Sequence, residues 1–227
     1  MFSDPKTLGL AFLGGIIPAL LWLWFWVREE EKHAEPKNIL TLVFIMGMIS
    51  VIFVLPIQKF IQAYIGSGDM EIILWAGAEE IIKYLAVVVI LYRTTYIDDA
   101  IDWPIYLITA ALGFAALENM LFLIKPISLG QDTVSLLTGQ LRFLGSTLLH
   151  AVSSGILGIA LGVSMHKGWF TRKLYLLGGL ALAIALHSVF NFFIINSVDN
   201  SFFKIFGFLW VVTVVVILLF EKLRRME

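Results

Sequence analysis

Hydrophobic residues along this chain come in long runs, not in the alternation of a half-buried strand or the narrow stripe of a soluble helix. A membrane-crossing helix needs about 20 mostly apolar residues. Seven runs meet that measure: Leu8–Val27, Asn38–Ile57, Asp69–Leu91, Pro104–Ile124, Phe143–Met165, Leu174–Ile195 and Phe202–Phe220. The breaks between them carry turn and cap chemistry. Asp102-Trp103-Pro104 predicts a helix start, with an aspartate able to cap and a proline whose missing N–H is harmless in a first turn. Gly66-Ser67-Gly68 closes an amphipathic connector, Gln58–Ile65, and Gln131–Arg142 predicts a short interfacial helix. The expected fold is therefore all-α: one polytopic bundle of about seven transmembrane helices, eight elements with the interfacial one, forming a single domain over residues 1–227.

Composition agrees. The chain is 59% hydrophobic and 15% charged, with a mean hydropathy of +0.91, against about 45–50% apolar and about 25% charged in soluble domains. A net charge of −1 with scattered lysines leaves no nucleic-acid footprint. The absence of cysteine excludes disulfides, thiolate metal sites and a thiol nucleophile. No small-x-small cleavage pattern follows the first run, so it is expected to be retained. Alternate connections hold ten lysines and arginines on one side (among them Lys32, Lys37, Lys167 and Arg172) and five on the other, Lys6, Lys59, Lys125, Arg142 and Lys204. Positive loops stay in the cytoplasm, which predicts the N-terminus outside and the C-terminus inside. Trp22, Trp24, Trp26, Trp103 and Trp169 are placed as an interfacial belt.

A charge at mid-membrane costs about 2.5–3.5 kcal/mol on insertion scales, so the few polar residues inside the runs carry information. They are Glu79, Glu80 and Lys83 on the third run, Glu118 and Asn119 on the fourth, His150 on the fifth, and His187 and Asn191 on the sixth. At 1.5 Å rise per residue, Glu79, Glu118, His150 and His187 fall about 15, 9, 10 and 13 Å below the outer face. Four helices of alternating direction thus place their polar residues in one layer of the outer half. Glu79 and Lys83 stand i,i+4 in the order that favours pairing, and Glu80, about 100° away, is left for another partner. His187 and Asn191 are also i,i+4, so the amide is expected to brace the ring. The plain alternatives are a helix-packing ion pair and satisfied core histidines. Ala151, Ser154, Gly155, Gly158 and Gly162 predict a close helix contact. Ser153-Ser154-Gly155 lacks the glycine that precedes an intramembrane serine nucleophile, and Gly66-Ser67-Gly68-Asp69 mimics an aspartyl-protease motif without a second aspartate in a span. HExxH is absent.

Glu79-Glu80-Ile81-Ile82-Lys83 matches an EExxK motif, and Gly113-Phe114 followed by Glu118-Asn119 matches GFxxxEN; His150, His187 and Asn191 follow in order. With Glu35-Pro36 in the first inner connection, this pattern resembles the PrsW family of intramembrane proteases, related to the CAAX-protease and bacteriocin-processing superfamily, with a motif core at about residues 69–195. Prenyl-protease relatives have arginine where Lys83 stands and histidine where Glu118 stands. The resemblance implies a multi-pass endopeptidase of a prokaryotic cell membrane that cuts membrane-anchored substrates, anti-sigma factors among them, on the extracytoplasmic side. Peptide hydrolysis needs a water, a base and an oxyanion partner. Glu80 or Glu79 is the expected base, sharing the water with Glu118 and His150. Of the two, Glu80 is preferred, because Lys83 is assigned to Glu79 and Tyr84 holds the corresponding place below Glu80. His187 with Asn191 would polarise the scissile carbonyl. A metal-free glutamic mechanism is favoured, and zinc held by Glu118, His150 and His187 is the other option. The rival functions are an ion-coupled transporter with a buried Glu/His relay, which would be expected to show inverted repeats, and a non-proteolytic immunity-like protein.

Overall fold

The computed structural model describes residues 4–28, 35–196 and 202–226, so Lys32 lies outside the described residues. Among these, every regular element is helical: α1 (Pro5–Arg28), α2 (Lys37–Ile65), α3 (Asp69–Leu91), α4 (Asp102–Ser128), α5 (Asp132–Leu141), a π-helical turn (Arg142–Ser146), α6 (Thr147–Ser164), α7 (Trp169–Asn196) and α8 (Phe202–Arg224). Among the described residues, six stretches are long and apolar enough to cross a membrane: α1, α2, α4, Thr133–Ser164, α7 and α8. At 23 residues, α3 is as long as α8. It fails on composition alone, because it carries Asp69, Glu71, Glu79, Glu80 and Lys83. The chain is a multi-pass membrane protein.

The bundle is organised around α4. Every residue from Pro104 to Ala116 is buried, and α1, α2 and α6 pack against it. Lipid offers no hydrophobic drive for helices to associate, so close backbone approach and dispersion must supply it. Small residues make that approach available. A Cβ added at Gly158 of α6 would lie 2.3 Å from Pro104 Cα, in line with the small-residue face expected on that helix. One added at Gly113 would lie 2.0 Å from the Phe44 carbonyl oxygen. The glycine of the GFxxxEN motif is therefore the seat of α2. Gly113→Ala is expected to lower stability by about 1–3 kcal/mol through overpacking against backbone. Thermal unfolding in detergent reads this, and an unchanged midpoint would show that α2 does not rest there.

Several local expectations change. Asp102 is already inside the first turn of α4, with Ile101 at the cap position. Its Oδ2 accepts the backbone N–H of Asp98 (3.0 Å) and Asp99 (2.7 Å), so it ties down the preceding loop instead of capping its own helix. The connector Gln58–Ile65 is no separate element: α2 runs through Pro56 to Ile65 and stops at Gly66, where φ is +77°. A single proline removes one intrahelical bond and leaves the others. The short helix expected at Gln131–Arg142 is α5, which passes through the π-helical turn directly into α6, so that Thr133–Ser164 reads as one long apolar stretch. The tryptophans divide: Trp24 and Trp169 are exposed, whereas Trp26 is buried against Phe220 and Trp22 donates to the Phe143 carbonyl at 3.3 Å.

Candidate active site

Four helices bring the intramembrane polar residues together. α3 supplies Glu79, Glu80 and Lys83, α4 supplies Glu118 and Asn119, α6 supplies His150, and α7 supplies His187. Glu79, Glu80, Lys83, Asn119, His150 and His187 are buried, and Glu118 is half-buried at the rim.

Lys83 Nζ lies 2.7 Å from Glu80 Oε1 and 4.0 Å from Glu79 Oε2. The close in-helix pair is thus i,i+3, to Glu80, and not the i,i+4 pair with Glu79. Both spacings share a helix face, and tertiary partners decide between them. Gln58 Nε2, from α2, donates to Glu79 Oε1 at 2.9 Å. Glu80 is drawn the other way by Ser153 Oγ (3.1 Å) and Ser154 Oγ (2.7 Å) of α6, and by His187 Nδ1 (2.8 Å) of α7. Glu80 is therefore saturated with donors. Glu79 is not: its Oε2 is buried without a hydrogen-bond partner.

The two histidines face that free oxygen. An ammonium only donates, so His150 Nδ1, 2.8 Å from Lys83 Nζ, accepts, and Nε2 carries the proton. That Nε2–H points at Glu118 Oε2, 3.1 Å away. His187 donates Nδ1–H to the Glu80 carboxylate, which leaves the lone pair on Nε2. This Nε2 lies 3.5 Å from Glu79 Oε2, and His150 Nδ1 lies 3.9 Å from the same oxygen. Each ring thus turns its protonated nitrogen to a carboxylate; the His187 lone pair faces Glu79, and the His150 lone pair, 3.9 Å from the same oxygen, is taken by Lys83. Both nitrogens of His187 are engaged by α3, and Asn191 sits half-buried one turn farther along.

Arg142 is a part of the site that the sequence pattern did not mark. It opens the π-helical turn, and its guanidinium bonds Glu118 Oε2, Asn119 Oδ1 and Ser146 Oγ. It also stacks 3.9 Å from the centre of the Phe122 ring. Asn119 Nδ2 continues the brace to Thr147 Oγ1 at 2.8 Å. Gln58, Ser153 and Ser154 were missed as well. The available signals were slight: a polar amide two residues after Pro56, and an arginine at the end of a short amphipathic segment.

A family model described as PrsW family intramembrane metalloprotease matches residues 35–220. The chain belongs to the PrsW family. Among its relatives, Protease PrsW of Geobacillus kaustophilus is 26% identical over 187 residues, covering 80% of this chain and 78% of that protein. Protease PrsW of Clostridioides difficile is 29% identical over 189 residues (80% and 77%). Protease PrsW of Bacillus subtilis is 24% identical over 198 residues (86% and 87%). No solved structure matches the chain.

The PrsW family description implies a metal, and the residues present fit one. Glu79, His150 and His187 offer ligand atoms within 4.8 Å of one another. Zinc bonds of about 2.0–2.2 Å set neighbouring tetrahedral ligands roughly 3.3 Å apart, close to the 3.5 and 3.9 Å seen here. The orphaned Glu79 oxygen, the His187 Nε2 lone pair and the carboxylate on each protonated ring nitrogen fit the pattern of metal-ligating histidines, with the His150 Nδ1 lone pair held by Lys83. The grouping differs from the expected set of Glu118, His150 and His187. His150 presents its nitrogens in opposite directions, so the carboxylate beside His187 is Glu79, and Glu118 reaches only the outer nitrogen.

Proposed function

We propose that this PrsW-family protein is an intramembrane endopeptidase of a prokaryotic cell membrane. It cuts membrane-anchored proteins near the extracytoplasmic face, an anti-sigma factor being the kind of substrate meant. The single observation that carries the reading is the buried, unpartnered Glu79 Oε2 between two inward-facing imidazole nitrogens. The names of the PrsW relatives support it, and the relation to the CAAX-protease superfamily is part of the same proposal.

In this reading Glu79 Oε2 faces the attacking water and is the site's reactive carboxylate. With a divalent metal bound, Glu79, His150 and His187 would instead be its ligands, and the metal would supply Lewis-acid polarisation and a more acidic water. Glu80 orients His187 through Nδ1, and Glu118, oriented by Arg142 and the His150 Nε2–H, is the half-exposed carboxylate. Ser153 and Ser154 donate to Glu80 and act as its supports.

The reading is tested by incubating the purified protein in detergent with a single-span substrate. It predicts two fragments cut near the outer end of the span. Proton transport in vesicles with the substrate left intact would favour the Glu/His relay of a transporter instead. The same account places the N-terminus outside. Taking Arg142 out of the loop count leaves Lys6, Lys59, Lys125 and Lys204 against the ten basic residues of the other side, which sharpens the bias. Because the chain has no cysteine, single Ser67→Cys and Lys167→Cys variants report cleanly. An impermeant thiol reagent on intact cells should label the first and spare the second. The opposite pattern would invert the topology.

A further inference from the structure

Lys83 stands among the atoms that fit a metal. It is fully buried, 2.8 Å from His150 Nδ1 and 4.0 Å from Glu79 Oε2, two of the three donors in that set. It keeps a separate bond to Glu80 at 2.7 Å and lies 4.7 Å from the centre of the Phe114 ring. A neutral imidazole has one acceptor nitrogen, so His150 Nδ1 cannot accept from an ammonium and bind a metal together. We infer that Lys83 and a divalent metal are alternative occupants of this cluster: the ammonium is its resident cation, and loading requires Lys83 to release His150. The inference rests on the reading of Glu79, His150 and His187 as metal-holding residues.

Charge balance favours exchange over addition. Three carboxylates, Glu79, Glu80 and Glu118, face two fixed cations, Lys83 and Arg142, across neutral imidazoles. With all three carboxylates ionised, the layer is one positive charge short. A divalent ion in place of the ammonium makes the count even, whereas an ion beside the ammonium leaves an excess and sets two cations against each other at short range. The flexible four-carbon stem of lysine lets the ammonium turn off His150.

Co(II) is the probe, titrated by visible absorbance into purified wild type, Lys83→Met and Lys83→Gln, with thermal unfolding followed in chelator and in Co(II). Both variants should bind Co(II) at least about ten-fold more tightly than wild type, the scale of one removed like charge at short range. In chelator they should unfold below wild type, and Co(II) should restore them. Adding Glu79→Gln should abolish the cobalt band. Equal or weaker binding by both variants, no binding by any protein, or tight binding that survives Glu79→Gln overturns the inference. So does failure of both variants to accumulate even in cobalt-supplemented medium, since the metal should replace the missing cation. Substrate cleavage by wild type is scored separately. Cleavage without the cobalt effect sinks the inference and leaves the protease reading, and the cobalt effect without cleavage does the reverse.

Discussion

Glu80→Gln should deplete the membrane of folded protein, not merely of active protein. Glu80 is fully buried and is the acceptor that joins α3 to α6 and α7: it takes Ser153, Ser154, His187 Nδ1 and, within its own helix, Lys83. An amide in its place removes the charge that Lys83 faces and turns an NH₂ group toward other donors. Removing one partner of a buried ion pair costs about 3–5 kcal/mol, against a total stability of about 5–15 kcal/mol for a typical domain. The double variant Glu80→Gln with Lys83→Met should recover part of the loss, because deleting both charges costs less than stranding one. Immunoblots of the membrane fraction and unfolding midpoints in detergent measure both effects. Wild-type levels of the single variant, or a double variant worse than the single, would show that Glu80 does not hold the helices together.

The roles proposed here are the reverse of those the motif suggested, and the geometry behind them shows what a sequence can carry. The helical bundle was legible because lipid demands long apolar runs, and the site because each charge inside such a run is costly. Glu79, Glu80, Glu118, His150 and His187 were all visible for that reason, and the structure brings them together. Which glutamate Lys83 chooses was not visible. Spacings of three and four residues both fit one helix, and the choice was made by Gln58 reaching from α2 to Glu79 and by Ser153, Ser154 and His187 reaching Glu80. Arg142 was hidden for a different reason. It looked like a loop residue, but the π-helical turn joins α5 to α6 without a loop and carries the guanidinium onto Glu118. The central place of α4 was equally obscure, since all the runs look apolar, and close backbone contacts such as those at Gly15, Gly47, Gly113 and Gly158 distinguish the one that is enclosed.

Glu79→Gln should behave in the opposite way to Glu80→Gln: the protein accumulates, and chemistry is lost. Gln58 can still bond the amide oxygen that replaces Oε1, and Lys83 keeps its 2.7 Å contact with Glu80. What disappears is the anionic Oε2 that faces His187 Nε2 and His150 Nδ1. As a proton acceptor it would contribute about 10²–10⁴-fold to the rate, and as a metal ligand its loss would be at least as damaging. The decisive measurement is the single-turnover cleavage of one single-span substrate by wild type and Glu79→Gln in detergent, at matched amounts of folded protein. The account predicts two fragments from wild type and a rate lower by about 10²-fold or more for Glu79→Gln. Cleavage by folded Glu79→Gln at the wild-type rate would contradict it.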